Sequence, residues 1–262
     1  MRKIEWLEEL WSYRELFYFL VWRDIIVRYK QTVLGATWVV IQPFGSMIVF
    51  TVLFGKLAKM PSDGVPYAVF SFAALVPWSY FASSISRSGN SLLFNANLIT
   101  KVYFPRIALV ASSTLSGLLD YGISFLVLLG LMHYFGIQLG WKILLWPLLT
   151  IVLVLLSFGV GLILSSLNVK YRDIGHTIPF AMQLWFFATP IIYPTSIIPE
   201  NYRGLASLNP MWGIIDGFRF AILPSRQMDW QQLSISLAFT LLLLVIGLIF
   251  FRNTERDFAD II

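Results

Sequence analysis

The chain has 262 residues, of which 58% are hydrophobic and only 13% are charged, and its net charge is +5. Soluble domains carry about 25% charged residues, so this composition cannot supply the polar surface of a soluble fold. Cysteine is absent, and there is neither a phosphate-binding glycine loop ending in Gly-Lys-Ser/Thr nor a His-Glu-x-x-His motif. We therefore expect no metal site, no catalytic residue and no cofactor bound by this chain itself.

Six long apolar stretches dominate the sequence and are almost free of charged residues. An α-helix needs roughly 20 apolar residues to cross the hydrocarbon layer, where every backbone polar group must be satisfied within the helix. The sequence predicts an all-α polytopic membrane protein that forms a single domain over residues 1–262. Its six predicted transmembrane helices lie at residues 33–54, 67–86, 107–135, 143–167, 178–193 and 233–251.

The positive charges predict the orientation of the chain in the membrane. Of the 19 Lys and Arg residues, 13 fall on the side that holds both termini. Positive residues concentrate in cytoplasmic loops, so both termini are predicted to be cytoplasmic. This distribution explains the net charge without a nucleic-acid partner. The first apolar run, Leu16–Trp22, is too short for a secretory signal peptide.

Residues 1–32 precede the first span and alternate apolar and charged positions at helical spacing. This pattern predicts an amphipathic helix that lies in the headgroup region of the membrane. Arg23, Arg28 and Lys30 crowd the entrance to the first span. These cations either anchor the segment or form a docking surface for a lipid headgroup.

The loop at residues 87–106 separates the second and third spans. Ser91, Asn95 or Asn97 is expected to cap a short helix there, and Pro105 to end the segment before the next span. The helix carries more apolar residues, including Leu92 and Leu98, than a solvated connector needs. It is therefore either a connector or a helix that docks into the groove of a partner.

Asp120 is the only carboxylate deep inside a predicted span. Ionisable residues in membranes usually face the bundle interior or a water-filled space. Because no intramembrane Lys, Arg or His is evident for a proton relay, an interhelical hydrogen bond is favoured over proton coupling.

Residues 197–223 are too polar to span freely and unusually apolar for a loop. Asn209-Pro210 divides them into two short predicted helices, Glu200–Leu208 and Met211–Leu223. Such a segment is either a folded outer loop or a pair of re-entrant helices, which survive only when protein covers them or they line a cavity.

Aromatic residues make up 16% of the chain, and several lie in the middle of predicted spans. Trp78, Tyr80 and Phe81 are one such group, and Trp185–Phe187 is another. These rings either fill the core or line a path along which the C–H faces of sugars stack.

Five sequence motifs together resemble the type-2 ATP-binding-cassette (ABC) permeases that export cell-surface polysaccharides. They cover essentially the whole chain in order. The motifs are Arg23–Gly35 (RDIIVRYKQTVLG) with Trp38 and Gln42-Pro43, Asn95–Pro105 (NANLITKVYFP), Asn168–Asp173 (NVKYRD), Pro190–Pro194 (PIIYP), and Leu208–Pro210 (LNP) with Arg219.

The resemblance implies a homodimer bound to two copies of a separate ABC ATPase, which would bind ATP and Mg²⁺. It implies a coupling helix seated on that ATPase, a channel lined by spans one, two and five, and a gate at its outer end formed by the two short helices. The residues given these roles are Leu92, Phe94, Asn95, Asn97, Leu98 and Lys101 for coupling; Trp38, Gln42, Trp78, Tyr80, Phe81, Trp185, Phe186, Phe187 and Tyr193 for the channel; and Asn209, Pro210 and Arg219 for the gate.

The implied substrate is a lipid-linked polysaccharide such as O antigen, capsule or teichoic acid, carried across the cytoplasmic (inner) membrane of a bacterium. In the resulting hypothesis, Arg23, Arg28 and Lys30 attract the anionic pyrophosphate of the lipid carrier. Sugar units then pass along the aromatic rings, and the lipid tail stays in the bilayer. The alternatives are an ABC exporter of drugs or small lipids, an ion-coupled secondary transporter and a membrane-embedded enzyme.

Overall fold

The computed structural model describes residues 12–30, 37–223, 226–255 and 258. Every regular element among these residues is helical, which confirms the all-α prediction. The described α-helices are α1 Arg14–Tyr29, α2 Trp38–Phe50, α3 Tyr67–Phe94, α4 Ala96–Lys101, α5 Ile107–Leu115, α6 Leu118–Tyr134, α7 Leu145–Lys170, α8 Ile174–Ala188, α9 Glu200–Ala206, α10 Pro210–Ile222 and α11 Trp230–Thr254.

Five helical segments in the described part of the chain are long and apolar enough to cross a membrane. They correspond to predicted spans one to four and six, although residues 33–36 of the first span and residues 1–11 and 31–32 of the predicted amphipathic start lie outside the described residues. The segments are Trp38–Leu57, Tyr67–Phe94, Ile107–Tyr134, Trp141–Lys170 and Trp230–Thr254.

The predicted fifth span is shorter than expected, so the structure does not confirm the count of six. Helix α8 has 15 residues and ends at Ala188, a length of about 22 Å against a hydrocarbon layer of about 30 Å. Thr189 adopts an extended conformation immediately before Pro190. The proline disfavours the helical conformation of the residue before it, which explains the early end.

The predicted second span is longer than expected because α3 continues to Phe94 instead of stopping at residue 86. Serines make the second half of α3 look like a loop in the sequence. Their hydroxyls donate to backbone carbonyls one turn earlier, as Ser88 does to Ile85 and Ser91 to Ser88. This bonding satisfies the hydroxyls inside the helix itself and allows a serine-rich stretch to stay helical and buried.

The first span contains a break in regular α-helical geometry. Pro43 lies inside α2, and a π-helix, Thr51–Leu57, directly follows the end of α2. Only 11% of the most apolar stretch of this span is buried, against 83% for α3. The first span therefore lies at the periphery of the helix bundle, whereas α3 forms its centre.

Helices α7 and α11 pack closely because glycines face each other at their crossing. A Cβ atom added to Gly247 would lie 2.5 Å from the carbonyl oxygen of Gly159. Small residues let transmembrane helices approach to backbone contact, and van der Waals packing then holds them together.

A separate apolar cluster joins α1 to the α3–α4 junction and to the C-terminal end of α11. Leu20 of α1, Leu92 of α3 and Ile99 of α4 are all buried in it, together with Phe251 and Phe258. The segment around α4 is therefore packed against both ends of the described chain.

Candidate functional site

A cavity of about 510 Å³ lies between α2, α3 and α6, and α1 and α8 contribute one side chain each. Five of the nine residues predicted for the channel line it, and the other four do not. Those that line it are Trp38, Gln42, Trp78, Tyr80 and Phe186.

One wall of the cavity is aromatic. The ring of Phe186 lies 5.6 Å from that of Trp78 and 5.9 Å from that of Phe50. Trp38 is 55% exposed at the open side. The lining also carries neutral polar groups, including Ser79 and Ser83. Aromatic faces next to hydroxyl groups suit the binding of sugars, which present both C–H faces and hydroxyls.

The four remaining channel residues lie outside this cavity. Phe81 is fully buried and meets the ring of Trp185 edge-on at 5.1 Å. Phe187 is 59% exposed, and its carbonyl accepts a hydrogen bond of 3.2 Å from the hydroxyl of Tyr193. Five of the predicted channel residues therefore line the cavity, and the other four make contacts at α8 and the chain that follows it.

Asp120 lies at the charged end of the cavity and is paired across the bundle. Its carboxylate accepts hydrogen bonds from the Arg28 guanidinium and the Tyr29 hydroxyl, both on α1. Arg28 also donates to the Ser116 hydroxyl at 3.0 Å. Asp120 therefore takes part in hydrogen bonds between helices, as the sequence favoured, although one donor is a cation, Arg28, that the sequence places at the entrance to the first span.

Tyr29 donates its hydroxyl hydrogen to the Asp120 carboxylate in this arrangement. Burial and the hydrogen bond to Asp120 raise the pKa of Tyr29 to about 12. Its hydroxyl therefore stays protonated over the physiological range, and Tyr29 holds Asp120 together with Arg28.

Arg87 is a cavity residue that the sequence analysis missed. It was counted among the loop charges because span two was expected to end at residue 86, whereas α3 carries it inside the bundle. Among the described residues, its guanidinium donates hydrogen bonds to two neutral oxygens, the Ser113 carbonyl and the Ser84 hydroxyl, each at 3.4 Å. The signal in the sequence is the run of serines before Arg87, whose hydroxyls can bond to carbonyls within a helix and so let it continue.

The three cations predicted for the headgroup site have separate environments. Arg23 pairs with its neighbour Asp24 at 2.8 Å, Arg28 reaches Asp120, and the side chain of Lys30 is exposed at the end of α1. Because Arg28 already has a carboxylate partner, these residues do not form one shared cationic patch. Their role at a lipid headgroup stays a prediction.

The predicted coupling residues fall at the junction of α3 and α4. Phe94 is 82% exposed, whereas Leu92 is fully buried in the apolar cluster. Asn97 and Lys101 are exposed, and Leu98 is half-buried against the same cluster. A helix of six residues, α4, forms here, and Phe94, Asn97 and Lys101 are the members that present side chains outward.

No side-chain cap stabilises α4, contrary to expectation. The amide of Asn95 donates to the carbonyl of Ser91 at 2.8 Å and so closes the end of α3 instead. At the other end of the loop, the backbone N–H of Arg106 donates to the Glu255 carboxylate at 3.3 Å. The loop is thereby held by its neighbours rather than by its own caps.

Asn209 joins α8 to α10. Its side-chain oxygen accepts from the Met211 N–H at 3.0 Å and from the Trp185 indole at 2.9 Å. Its amide donates to the Thr189 hydroxyl at 2.9 Å. Pro210 occupies the first position of α10, where its missing N–H costs nothing.

Arg219 is fully buried and bonds to the non-helical chain that follows α8. It donates to the carbonyls of Pro190 at 2.7 Å and Ile191 at 2.6 Å, and it lies over the ring of Phe70 at 3.7 Å. These carbonyls lost their helical partners when α8 ended, so Arg219 satisfies them. The three predicted gate residues therefore meet at the end of α8.

A second ion cluster lies nearby. Arg226 pairs with Asp216 of α10 and with Asp63 of the loop between the first two spans, and it donates to Thr195 at 3.1 Å. Burial lowers the pKa of Arg226. This cluster links the region before α11 to α10 and to the loop at Asp63. The described residues contain no group of three or more potential metal ligands.

Comparison with known proteins agrees with the resemblance in the motifs. The family model of the ABC-2 type transporter matches residues 15–223. The chain is 30% identical over 259 residues to the O-antigen export system permease protein RfbA of Myxococcus xanthus, covering 98% of this chain and 99% of that protein. It is 30% identical over 244 residues to RfbA of Klebsiella pneumoniae, covering 92% of each.

A third relative is the polysialic acid transport protein KpsM of Escherichia coli. It is 25% identical over 239 residues, which cover 89% of this chain and 91% of that protein. Because the family model covers most of the chain and the relatives align over nearly all of it, the protein belongs to the ABC-2 type transporter family.

Proposed function

We propose that this chain is the transmembrane permease subunit of an ABC exporter that moves a lipid-linked cell-surface polysaccharide across the cytoplasmic membrane. The observation that carries the proposal is a cavity with an aromatic wall and a hydroxyl-bearing wall, in a chain that aligns end to end with the O-antigen export permease RfbA. Sugars need both kinds of surface.

Two copies of the chain form the proposed permease. The first span supports this, since Trp38 is 55% exposed beside the cavity and Val49 is 50% exposed further along α2. A partner protomer that covers this side would close the cavity into a channel. A channel enclosed between two protomers would keep the sugar path away from the lipid, which favours passage of a polymer.

The energy comes from a separate ABC ATPase, two copies of which bind ATP and Mg²⁺. Phe94, Asn97 and Lys101 are the proposed contacts, because they project from the α3–α4 junction while Leu92 anchors that junction in the apolar cluster. Force on α4 is transmitted to α3, which lines the cavity. Both termini are proposed to be cytoplasmic, on the same side as α4.

Helices α9 and α10 form the proposed re-entrant gate at the outer end. All but one of the 13 residues of α10 are buried, which is required of a short helix that enters a membrane, whereas no residue of α9 is buried. Asn209 and Arg219 fix the gate to the end of α8 through the bonds described above. Arg23 and Lys30 remain candidates for attracting the carrier's pyrophosphate, with Arg28 held by Asp120.

Reconstitution in liposomes tests the function. The permease and its ATPase are purified together, and ATP hydrolysis and glycan transfer are measured with and without a lipid-linked glycan. We expect the glycolipid to stimulate ATP hydrolysis and to be transferred only when both subunits and ATP are present. Transfer by the permease alone under an ion gradient, or no response of the ATPase to any lipid-linked glycan, would refute the proposal.

A further inference from the structure

Arg87 is the one charged group at the cavity without an oppositely charged partner among the described residues. The cavity's charged lining residues are Arg28, Arg87 and Asp120. Arg28 and Asp120 neutralise each other, whereas Arg87 has two long hydrogen bonds to neutral oxygens. A cation that is partly removed from water needs a compensating anion, because neutral acceptors only partly replace its hydration.

The structure also makes room for this guanidinium. A Cβ atom placed on Gly117, in the break between α5 and α6, would lie 2.3 Å from the Nη2 atom of Arg87. The same atom would lie 3.1 Å from the Ser84 hydroxyl oxygen. The absence of a side chain at residue 117 therefore leaves the space that the guanidinium occupies, although Gly117 itself has an ordinary helical conformation.

Arg87 continues a polar row along α3. Ser79, Ser83 and Arg87 all line the cavity, and their spacing of four residues places them on one face of the helix. Successive members are about 6 Å apart along the axis. A molecule extended along this row would meet two hydroxyl groups and then the guanidinium, in a cavity that aromatic rings also line.

From this geometry we infer that the cavity is a binding site for a sugar phosphate, in which Arg87 holds the phosphate and the serine row and aromatic wall hold the adjoining sugars. The planar fork of an arginine donates two parallel hydrogen bonds to phosphate oxygens. The cavity is far larger than a free phosphate, and its lining suits a glycan. The inference rests on the proposed function, since it takes the phosphate to be that of the lipid-linked glycan.

Ligand binding to the complex of permease and ATPase, held in lipid nanodiscs, tests the inference. The probes are a farnesyl diphosphate-linked disaccharide, the same disaccharide on a neutral farnesyl ether, and inorganic diphosphate. We expect Arg87→Gln to weaken binding of the charged glycolipid about 10- to 100-fold, the loss expected for hydrogen bonds to a charged group. Binding of the neutral glycolipid should change less than about twofold, since it makes none of those bonds.

Three further variants separate charge, position and folding. Arg87→Lys keeps the charge without the fork, so its loss should be intermediate. Gly117→Ala displaces the guanidinium without removing it and should also weaken the charged glycolipid selectively. Arg172→Gln removes an exposed arginine outside the cavity and should leave binding of all probes unchanged. If Arg87→Gln fails to assemble, the lysine and alanine variants still decide the question.

The possible outcomes distinguish this inference from the proposed function. Wild-type affinity of Arg87→Gln or Gly117→Ala for the charged glycolipid would overturn the role of Arg87 while leaving the export function intact. An equal loss for charged and neutral glycolipids would show a structural role only. Inorganic diphosphate binding as tightly as the charged glycolipid would overturn the sugar part of the site. Failure of the wild-type complex to bind either glycolipid would refute the proposed function as well.

Discussion

Breaking the Arg28–Asp120 pair should destabilise the protein by an amount that depends on which partner is removed. Asp120→Ala removes the acceptor of two hydrogen bonds, from Arg28 and Tyr29, and leaves Arg28 without its carboxylate partner. Removing one partner of a buried pair costs about 3–5 kcal/mol. Both side chains are only about one-fifth exposed, so we expect about 3 kcal/mol, the lower end of that range.

The reverse change should cost less. Arg28→Ala leaves Asp120 with the hydrogen bond from Tyr29, so we expect a loss of about 2 kcal/mol. The double variant should cost about 3 kcal/mol, because the second change removes a charge that the first had already left unpaired. The resulting coupling energy is about 2 kcal/mol, within the range measured for residues that touch.

The assay is a double-mutant cycle on unfolding by sodium dodecyl sulfate in mixed micelles, followed by tryptophan fluorescence. Arg23→Ala is the matched control, because the one ion pair of Arg23 among the described residues is with its neighbour Asp24 and its side chain is 30% exposed. The control should change stability by less than about 1 kcal/mol. If the two single losses add to the double loss within about 0.5 kcal/mol, Arg28 and Asp120 are not coupled and the reasoning fails.

Two further changes test the packing around the site, both by thermal unfolding in detergent. Arg219→Leu should cost about 3 kcal/mol because it leaves buried carbonyls unbonded, whereas Arg203→Ala, at an exposed arginine, should have little effect; equal losses would refute the role of Arg219. Gly247→Ala should lower the melting temperature, since its Cβ would lie 2.5 Å from the Gly159 oxygen. In the control Gly130→Ala, nothing lies within 4 Å of the added Cβ atom, so the free energy of unfolding should rise by about 0.5–1 kcal/mol from helix propensity. An unchanged melting temperature for Gly247→Ala would show that α7 and α11 separate easily.

The sequence identified most membrane helices because long uncharged runs have no other stable use. It failed where local chemistry overrode composition. Pro190 shortened α8 through the conformation it imposes on Thr189, and hydroxyl-to-carbonyl bonds lengthened α3 through a stretch that reads as polar. Because the predicted second span ended at residue 86, Arg87 was assigned to a loop, and nothing in the sequence indicated that it lies at a cavity.

The site was only partly predictable for a related reason. Aromatic and amide residues such as Trp78 and Asn209 could be singled out by type and position, but their partners come from distant parts of the chain. Arg28 and Asp120 are separated by 92 positions, and no periodicity within either segment reveals that they meet. Pairing of this kind depends on how helices are arranged, which the apolar pattern leaves open.

Helix α1 contacts both the α3–α4 junction and the cavity, which gives the proposed export cycle a physical connection. Leu20 packs with Leu92 and Ile99 in the apolar cluster, and Arg28 bonds to Asp120 at the cavity. The two positions are eight residues apart on one helix, or about 12 Å along its axis. A displacement of α4 by the ATPase would therefore act on the cavity through α1 as well as through α3. The two routes converge on the charged end of the cavity. Loss of the Arg28–Asp120 pair should therefore impair the coupling of ATP hydrolysis to export more than loss of a buried apolar contact that lowers the free energy of unfolding by the same amount.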